Sequence, residues 1–325
     1  MIEIVTHTNN HIWNQFLESE QDNQLITMAH NPSLGPILEK TFGYKHQNLT
    51  LVHDSKVIGV LPTVLFKNRI LSMPHFTYGG PIYASANKSD IKIEDIIKGK
   101  KFEIRGFDKL TDNVYDKKLS CILEVKESYD AQLMTFKSKM RQKIRKAERI
   151  NYNVSHGGLE LLDDYYEIYS RKMLQFGSPA IGKVFFKTLL TDYDFGDAQI
   201  TVVYDEDKVI AAGFSLSYLN FNEVCWSTTD NNYDGYNIHA LICWEILKTS
   251  IDKKHRYFSF GRSTINSNNH RFKKQWNPIE LPIFYNYSEP VGKSLKERTY
   301  LTKIWKHQPL ATSVYLGHII SKYLY

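Results

Sequence analysis

Between residues 198 and 228 the chain passes through three strand-length segments rich in β-branched and aromatic residues, 198–204, 209–218 and 222–228. They are separated only by Asp205-Glu206-Asp207 and Leu219-Asn220-Phe221. Two turns this short admit little except an antiparallel three-stranded meander. Helix-period stretches at 133–149, 161–173 and 181–192 and a short strand at 152–155 precede it, and a helix at 237–250 with strands at 257–260 and 281–287 follows. Helix pair, meander, helix, strand, strand is the order of an α/β domain built around a mixed sheet.

The upstream part has the same outline at lower contrast. A strand at 3–6, helices at 10–19 and 32–42, and two β-rich runs at 48–53 and 56–66 joined by Asp54-Ser55 come first; a helix at 91–97 and a strand at 102–105 follow. The second β-rich run is apolar on both faces and breaks at Pro62. Residues 107–118 are polar and turn-rich, which places a boundary there. The expected organisation is one α/β unit over 1–118, a second over 119–290, and a helical tail over 291–325. A tandem duplication accounts for the repeated outline, although no internal sequence identity accompanies it.

The stretch 136–149 carries seven basic residues against one acid, and its net +6 equals the formal charge of the whole 325-residue chain. Leu133, Phe136, Met140, Ile144 and Ala147 fall in one arc at 100° per residue, so the segment reads as a docked helix with a cationic outer face and an anionic partner. Cys121, Cys225 and Cys243 sit among apolar neighbours with no C-x-x-C pair, and the twelve histidines show no ligand spacing, so neither a zinc site nor a disulfide framework is expected. The opening residues do not read as a signal peptide, and no stretch of about 18 apolar residues reads as a membrane span.

Two polar loops stand at strand ends. The first, 227–236, leads from a buried strand into helix 237–250, whose first-turn amides face it and offer a place for phosphate or an oxyanion. Asn237 and Asp234 also suit simple helix capping. The second begins at Gly261 and carries Arg262, Ser263, His270 and Lys273. In an α/β domain ligands gather at the carboxyl ends of strands, where the two loops meet. Arg262 suits a five-donor clamp on phosphate or carboxylate, Lys273 a mobile point charge, and His270 is a candidate general base.

Several motifs occur in a fixed order: Ile58-Gly59-Val60-Leu61-Pro62, then 71–80 from Leu71 to Gly80, then Met140-Arg141-Gln142-Lys143-Ile144-Arg145-Lys146-Ala147-Glu148. Arg171 and Gly177-Ser178-Pro179 follow, then Phe260-Gly261-Arg262-Ser263, Phe272-Lys273, Trp276 and a terminal His307-Gln308-Pro309-Leu310. In these the chain resembles the FemAB-related members of the GNAT acyltransferase superfamily, especially the group associated with bacterial polysaccharide and PEP-CTERM export systems. The resemblance implies an α/β fold of two tandem GNAT-like domains with mixed β-sheets and a short helical C-terminal tail. It further implies transfer of an acyl or aminoacyl group to an amine at a cleft between the domains.

The glycine loop that holds acetyl-CoA in many GNAT enzymes is not found before helix 237–250, where only Gly235 remains. No tightly bound cofactor is expected, and the co-substrate is left open among acyl-CoA, a carrier thioester and aminoacyl-tRNA. The acceptor expected is a cell-envelope glycan or peptide precursor; tRNA is a candidate partner and DNA is not.

For this chemistry the expected catalytic set is Asp230 to steer or deprotonate the amine, Ser227 and Thr228 to orient the donor, Tyr233 to protonate the leaving group, and Arg262. The donor's phosphates fall to Gly235, Asn237, Ser263 and Lys273, with Arg141, Arg145 and Lys146 of the basic helix nearby. His75, Tyr78, Arg105 and Trp276 are the candidates for acceptor recognition. The alternative is a noncatalytic GNAT-fold binding or scaffold protein of an exopolysaccharide assembly system, favoured if Arg262, Lys273 and Asp230 do not converge or if Trp276 or Tyr236 plugs the cleft.

The tail 295–325 mixes apolar residues with lysines and histidines and is broken at Pro309 and Gly317. It is expected to pack on the second domain, giving a cytoplasmic protein with at most peripheral contact with the inner membrane.

Overall fold

The computed structural model describes residues 2–6, 9–85, 91–97, 99–290 and 299–324. The first part of the chain supplies β1 (Glu3–Thr6), α1 (Asn10–Glu20), α2 (Leu34–Phe42), β2 (Lys45–His46), β3 (Leu49–His53), β4 (Lys56–Leu61) and β5 (Val64–Phe66). β6 (Arg69–Leu71), β7 (Ile82–Tyr83), α3 (Ile93–Ile96), β8 (Lys101–Gly106) and β9 (Val114–Glu124) follow. Next come α4 (Tyr129–Thr135), α5 (Ser138–Glu148), β10 (Asn153–Gly157), α6 (Leu162–Phe176), α7 (Lys183–Asp192), β11 (Gly196–Asp205), β12 (Lys208–Tyr218) and β13 (Phe221–Thr229). The chain continues through α8 (Ile238–Asp252), β14 (Tyr257–Thr264), α9 (Asn268–Lys273), β15 (Ile279–Tyr287), α10 (Thr299–Lys306) and α11 (Leu310–Ser321).

These strands form a four-stranded sheet, β1-β3-β4-β7, and an eleven-stranded sheet, β10-β11-β12-β13-β14-β9-β15-β8-β6-β5-β2. The meander β11–β13 is antiparallel, as the turn spacing predicts. β15 lies between β9 and β8 and is antiparallel to both. One sheet therefore runs through both the 1–118 and the 119–290 segments. Residues 114–118, expected as a polar turn, are strand because β15 supplies their partner, while Tyr115, Asp116 and Lys117 face solvent.

The helix expected over 133–149 is split between α4 and α5, and the basic residues fall on α5 and the residues on either side of it. Phe136 and Lys137 are extended (ψ 154° and 144°), which ends α4 and restarts the chain as α5. The break lets Phe136 pack edge-on against Trp276 and Trp244, while α5 buries Met140, Ile144 and Ala147. α8 lies between α5 and β11–β13, which explains why eleven of its residues are buried and why its sequence is apolar almost all round. A core on the other face joins distant parts of the chain, with Trp13, Leu38 and Phe76 packed in one cluster with Phe185, Phe186, Phe214 and Tyr218.

The tail packs on α6 through both its helices, and it also reaches the first part of the chain, where Tyr44 Oη donates to the Lys322 carbonyl at 2.8 Å. Among the described residues no helix is long and apolar enough to cross a membrane, and no cluster of histidine, cysteine, aspartate or glutamate could hold a metal ion.

Candidate functional site

β13 and β14 are parallel neighbours for three residues only, Phe221, Asn222 and Glu223 against Tyr257, Phe258 and Ser259. Beyond that point the partnership ends. β13 keeps its bonds to β12 and β14 its bonds to β9, with a register shift between Ser259 and Arg262. The shift is made by Gly261, whose φ of +67° is costly for any residue with a Cβ. A cavity of about 310 Å³ opens where the strands diverge, lined from β13 by Val224, Cys225, Trp226 and Ser227 and from β14 by Phe260, Gly261 and Arg262. His239 and Cys243 from α8, Phe272 and Lys273 from α9, Tyr169 and Met173 from α6, and His75 and Thr77 close it.

One end of this cavity is cationic. Lys273 is only 6% exposed, and its Nζ donates to the carbonyls of Gly261 (3.0 Å) and Arg262 (3.1 Å). Burial pushes its pKa down to about 8, against the pull of the Cys121 thiol and Glu223. An ammonium has three protons, and among the described residues the third has no acceptor. Arg262 donates to the Phe76 carbonyl at 3.1 Å. His239 stacks on Phe272 at 4.5 Å, and burial, with Lys273, Lys172 and Lys143 nearby, lowers its pKa to about 4, so the ring is neutral.

Beneath the cavity lies Glu223, 1% exposed, which sequence reasoning missed. Its carboxylate accepts from Thr77 Oγ1 (2.7 Å), Tyr78 Oη (2.5 Å) and Ser259 Oγ (2.7 Å). Burial raises its pKa, while the three hydroxyls and Lys273 pull it back. Thr77 touches both this carboxylate and the cavity. The only sequence signal was a lone acid in a strand whose neighbours read as core.

His75 reaches the cavity from a segment with positive φ at Met73 (32°) and His75 (75°). Such backbone costs on the order of 1–3 kcal/mol per residue. It is held by the buried Met73 and Phe76 side chains, by the Gly79 amide on the Arg105 carbonyl, and by the His75 ring stacked 4.2 Å from Phe42.

Of the residues expected at the site, the fold brings Ser227, Arg262, Lys273 and His75 to one cavity. Asp230 does not line it: its carboxylate pairs with Lys208 at 2.8 Å and caps the short turn Asn231–Tyr236 by accepting from the Asn232 amide. Partial burial pushes its pKa up, but Lys208 and that amide outweigh this and hold the carboxyl below its ordinary value. Tyr233 donates to Asp205 at 2.6 Å, which raises its pKa to about 12, a poor setting for a proton donor. Gly235 is exposed, and Asn237, in the left-handed region (φ 60°), makes no side-chain cap to α8.

Ser263 is buried between β14 and β9, and its hydroxyl has no partner among the described residues. Arg141 bonds the Phe136 carbonyl and Arg145 is exposed, both on α5; Lys143 of that helix reaches the rim, 6.0 Å from the Phe272 ring. Three candidates for acceptor recognition have other duties. Arg105 is 2% exposed, paired with Glu103 at 2.5 Å and stacked over Tyr285. Trp276 is fully buried in the core and plugs nothing. Tyr78 lines a separate cavity of about 230 Å³ with His30, Gly80 and Asp108. His270 is buried, accepting from the Asn266 amide and pairing with Glu280 at 2.8 Å, so it fastens the loop after β14 to β15.

A meander followed by a helix and a parallel strand that splays away from it, with a cavity in the fork, defines a GNAT-like mixed α/β fold. The comparisons agree. A family profile described as "Acetyltransferase (GNAT) domain" matches residues 135–274, the stretch holding β13, α8 and β14. The crystal structure of FemX superposes with a TM-score of 0.64 over 87% of this chain and 96% of that one, at 13% identity. The C-terminal domain of a putative lysylphosphatidylglycerol synthetase from Agrobacterium fabrum gives 0.54 over 85% and 92%, at 8% identity. A tandem GNAT protein from the clavulanic acid biosynthesis pathway gives 0.52 over 90% and 100%, at 8% identity. No curated protein matches the chain in sequence.

Proposed function

We propose that the protein is an N-acyltransferase that moves an acyl or aminoacyl group from an activated, phosphate-containing donor to an amine on a cell-envelope glycan or peptide precursor. The observation that carries this reading is the fork where β13 and β14 stop pairing with each other, with Arg262 and Lys273 around the one cavity that opens there. In this reading the donor's anionic part lies against Arg262 and the free proton of Lys273, and its acyl group lies toward Trp226 and Tyr169. The amine attacks the carbonyl carbon, backbone amides of β13 at the fork stabilise the oxyanion, and the bond to the leaving group breaks, the departing thiolate or ribose oxygen taking a proton from water. The proton released by the amine passes through the Thr77 hydroxyl to Glu223, which is better suited to take it than the ion-paired Asp230.

The similarity to FemX and to a tandem GNAT protein supports reading the two parts of the chain as GNAT-like units that share one sheet. Arg262 and Lys273 meet in one cavity while Asp230 stands outside it, so the three-residue convergence expected of an enzyme is only partly met. What supports catalysis is that Thr77, which lines the cavity, and Glu223 behind it supply the proton acceptor that Asp230 does not.

The test offers the full chain acetyl-CoA, longer acyl-CoA esters and aminoacyl-tRNA in turn, with amine-bearing envelope precursors, and follows amide formation by mass spectrometry. Amide formed with one donor and lost in Lys273→Met is the expected result. Failure of the folded protein to bind any of these donors would overturn the reading in favour of the scaffold alternative.

A further inference from the structure

Helix α11 packs inward through its smallest side chains, with Val314 against the core, and leaves other large apolar residues turned out. Its inward positions are Ser313, Gly317 and Ser321, all buried. Gly317 lies so close to Ala180 that a Cβ would stand 2.5 Å from its carbonyl oxygen. The outward positions include Tyr315 and Ile319, four residues apart and 69% and 43% exposed. A surface helix normally turns its large apolar residues inward and its small polar ones out. α10 adds Ile304, 59% exposed, and is clamped to α11 by Trp305 Nε1 donating to Ser313 Oγ at 2.9 Å.

The charge carried by these two helices themselves has one sign. Residues 299–324 contain no aspartate or glutamate, but they include Lys303, Lys306, His307, His318 and Lys322. On α6, against which both helices pack, Glu167 is already paired with Arg171, and Asp163 with Lys183 of α7. At the far end of α11, Tyr323 is 46% exposed and packs beside Phe66 of β5. Two ammoniums stand near its ring, Lys322 Nζ at 5.2 Å and Lys67 Nζ at 5.6 Å from the centroid. Lys67 comes from the turn between β5 and β6, so two distant parts of the chain build this aromatic and cationic tip.

We propose that the outward face of α10 and α11, with the Lys67–Tyr323 tip, docks on an anionic lipid bilayer. Aliphatic side chains such as Ile304 and Ile319 gain by leaving water for the acyl boundary, lysines gain from the surface potential, and tyrosine rings settle at headgroup level. A nucleic acid would use the lysines but offers nothing to the isoleucines. A second copy docked through the same face would oppose lysine to lysine with no acid on either described helix to relieve them. The inference is independent of the acyl-transfer reading.

The test is flotation of the full chain with vesicles of equimolar phosphatidylglycerol and phosphatidylcholine, and with phosphatidylcholine alone, at low and high salt. Binding to the anionic vesicles and not to the neutral ones is expected. Ile304→Ser with Ile319→Ser, and separately Lys67→Glu with Lys322→Glu, should each lower the bound fraction about tenfold. The isoleucines are exposed and the lysine changes lie at a tip, so both variants keep the wild-type melting curve, which circular dichroism checks. No flotation at low salt, equal binding to neutral vesicles, or unchanged binding by both folded variants overturns the proposal. So does tRNA binding at this face without vesicle binding, or a dimer in light scattering that the isoleucine changes dissolve.

Discussion

Lys273 joins stability and ligand binding in one side chain with opposite pH dependence. Its folded pKa of about 8 lies below its ordinary 10.5, so between those values the unfolded chain holds more protons and stability rises with pH. The donor site, in contrast, needs the ammonium. Donor affinity is expected to fall as pH rises past about 8 while the melting temperature climbs, and Lys273→Met should remove both trends and weaken donor binding at least about tenfold. Calorimetry and titration across pH 7 to pH 10, roughly the window set by this shift, check it. Asp230→Asn should behave differently. Asparagine still caps the turn Asn231–Tyr236, so only the Lys208 pair is lost, and a cost of about 0–1 kcal/mol with near-normal turnover is expected. Turnover falling more than about a hundredfold in a fully folded variant would return Asp230 to the chemistry. Arg262 and Lys273 were legible because polarity switches on at Gly261, at a strand end. Glu223 was not, since nothing local distinguishes an acid satisfied by three hydroxyls from distant residues from an ordinary exposed one.

Helices and strands were legible in proportion to how local their causes are. The meander was found to within two residues at each end because tight turns fix it. β14 runs on to Thr264, past the apolar stop at Phe260, because β9 continues to pair with it. The split between α4 and α5 was hidden, since Phe136 fits the helical arc and leaves it only for the distant Trp276. The tail helix depends on a contact of the same non-local kind, at Gly317. Gly317→Val would drive side-chain carbons into the Ala180 backbone, which cannot yield as a flexible side chain can. A loss of about 1–3 kcal/mol or release of the tail is expected, measured by urea unfolding and by protease sensitivity between α10 and α11.

At the scale of the molecule, the two expected units share the eleven-stranded sheet, and the sequence could not announce this because pairing partners lie far apart along the chain. Since β15 bonds to strands from both parts, and one core cluster holds Trp13 together with Phe214, the parts should not melt independently. Fluorescent probes near Trp13 and near Trp244 are expected to report coincident thermal transitions; separate midpoints would show two cooperative units. The position of β15 also has a consequence for synthesis. β8 and β9 are not bonded to each other and meet only through residues 279–287, so a nascent chain emerging from the ribosome carries two open strand edges for the time needed to add more than a hundred and fifty further residues. At about 5–20 residues per second that is on the order of ten seconds or more of exposure, and it makes the unfinished polypeptide, rather than the finished protein, the species that chaperones must protect.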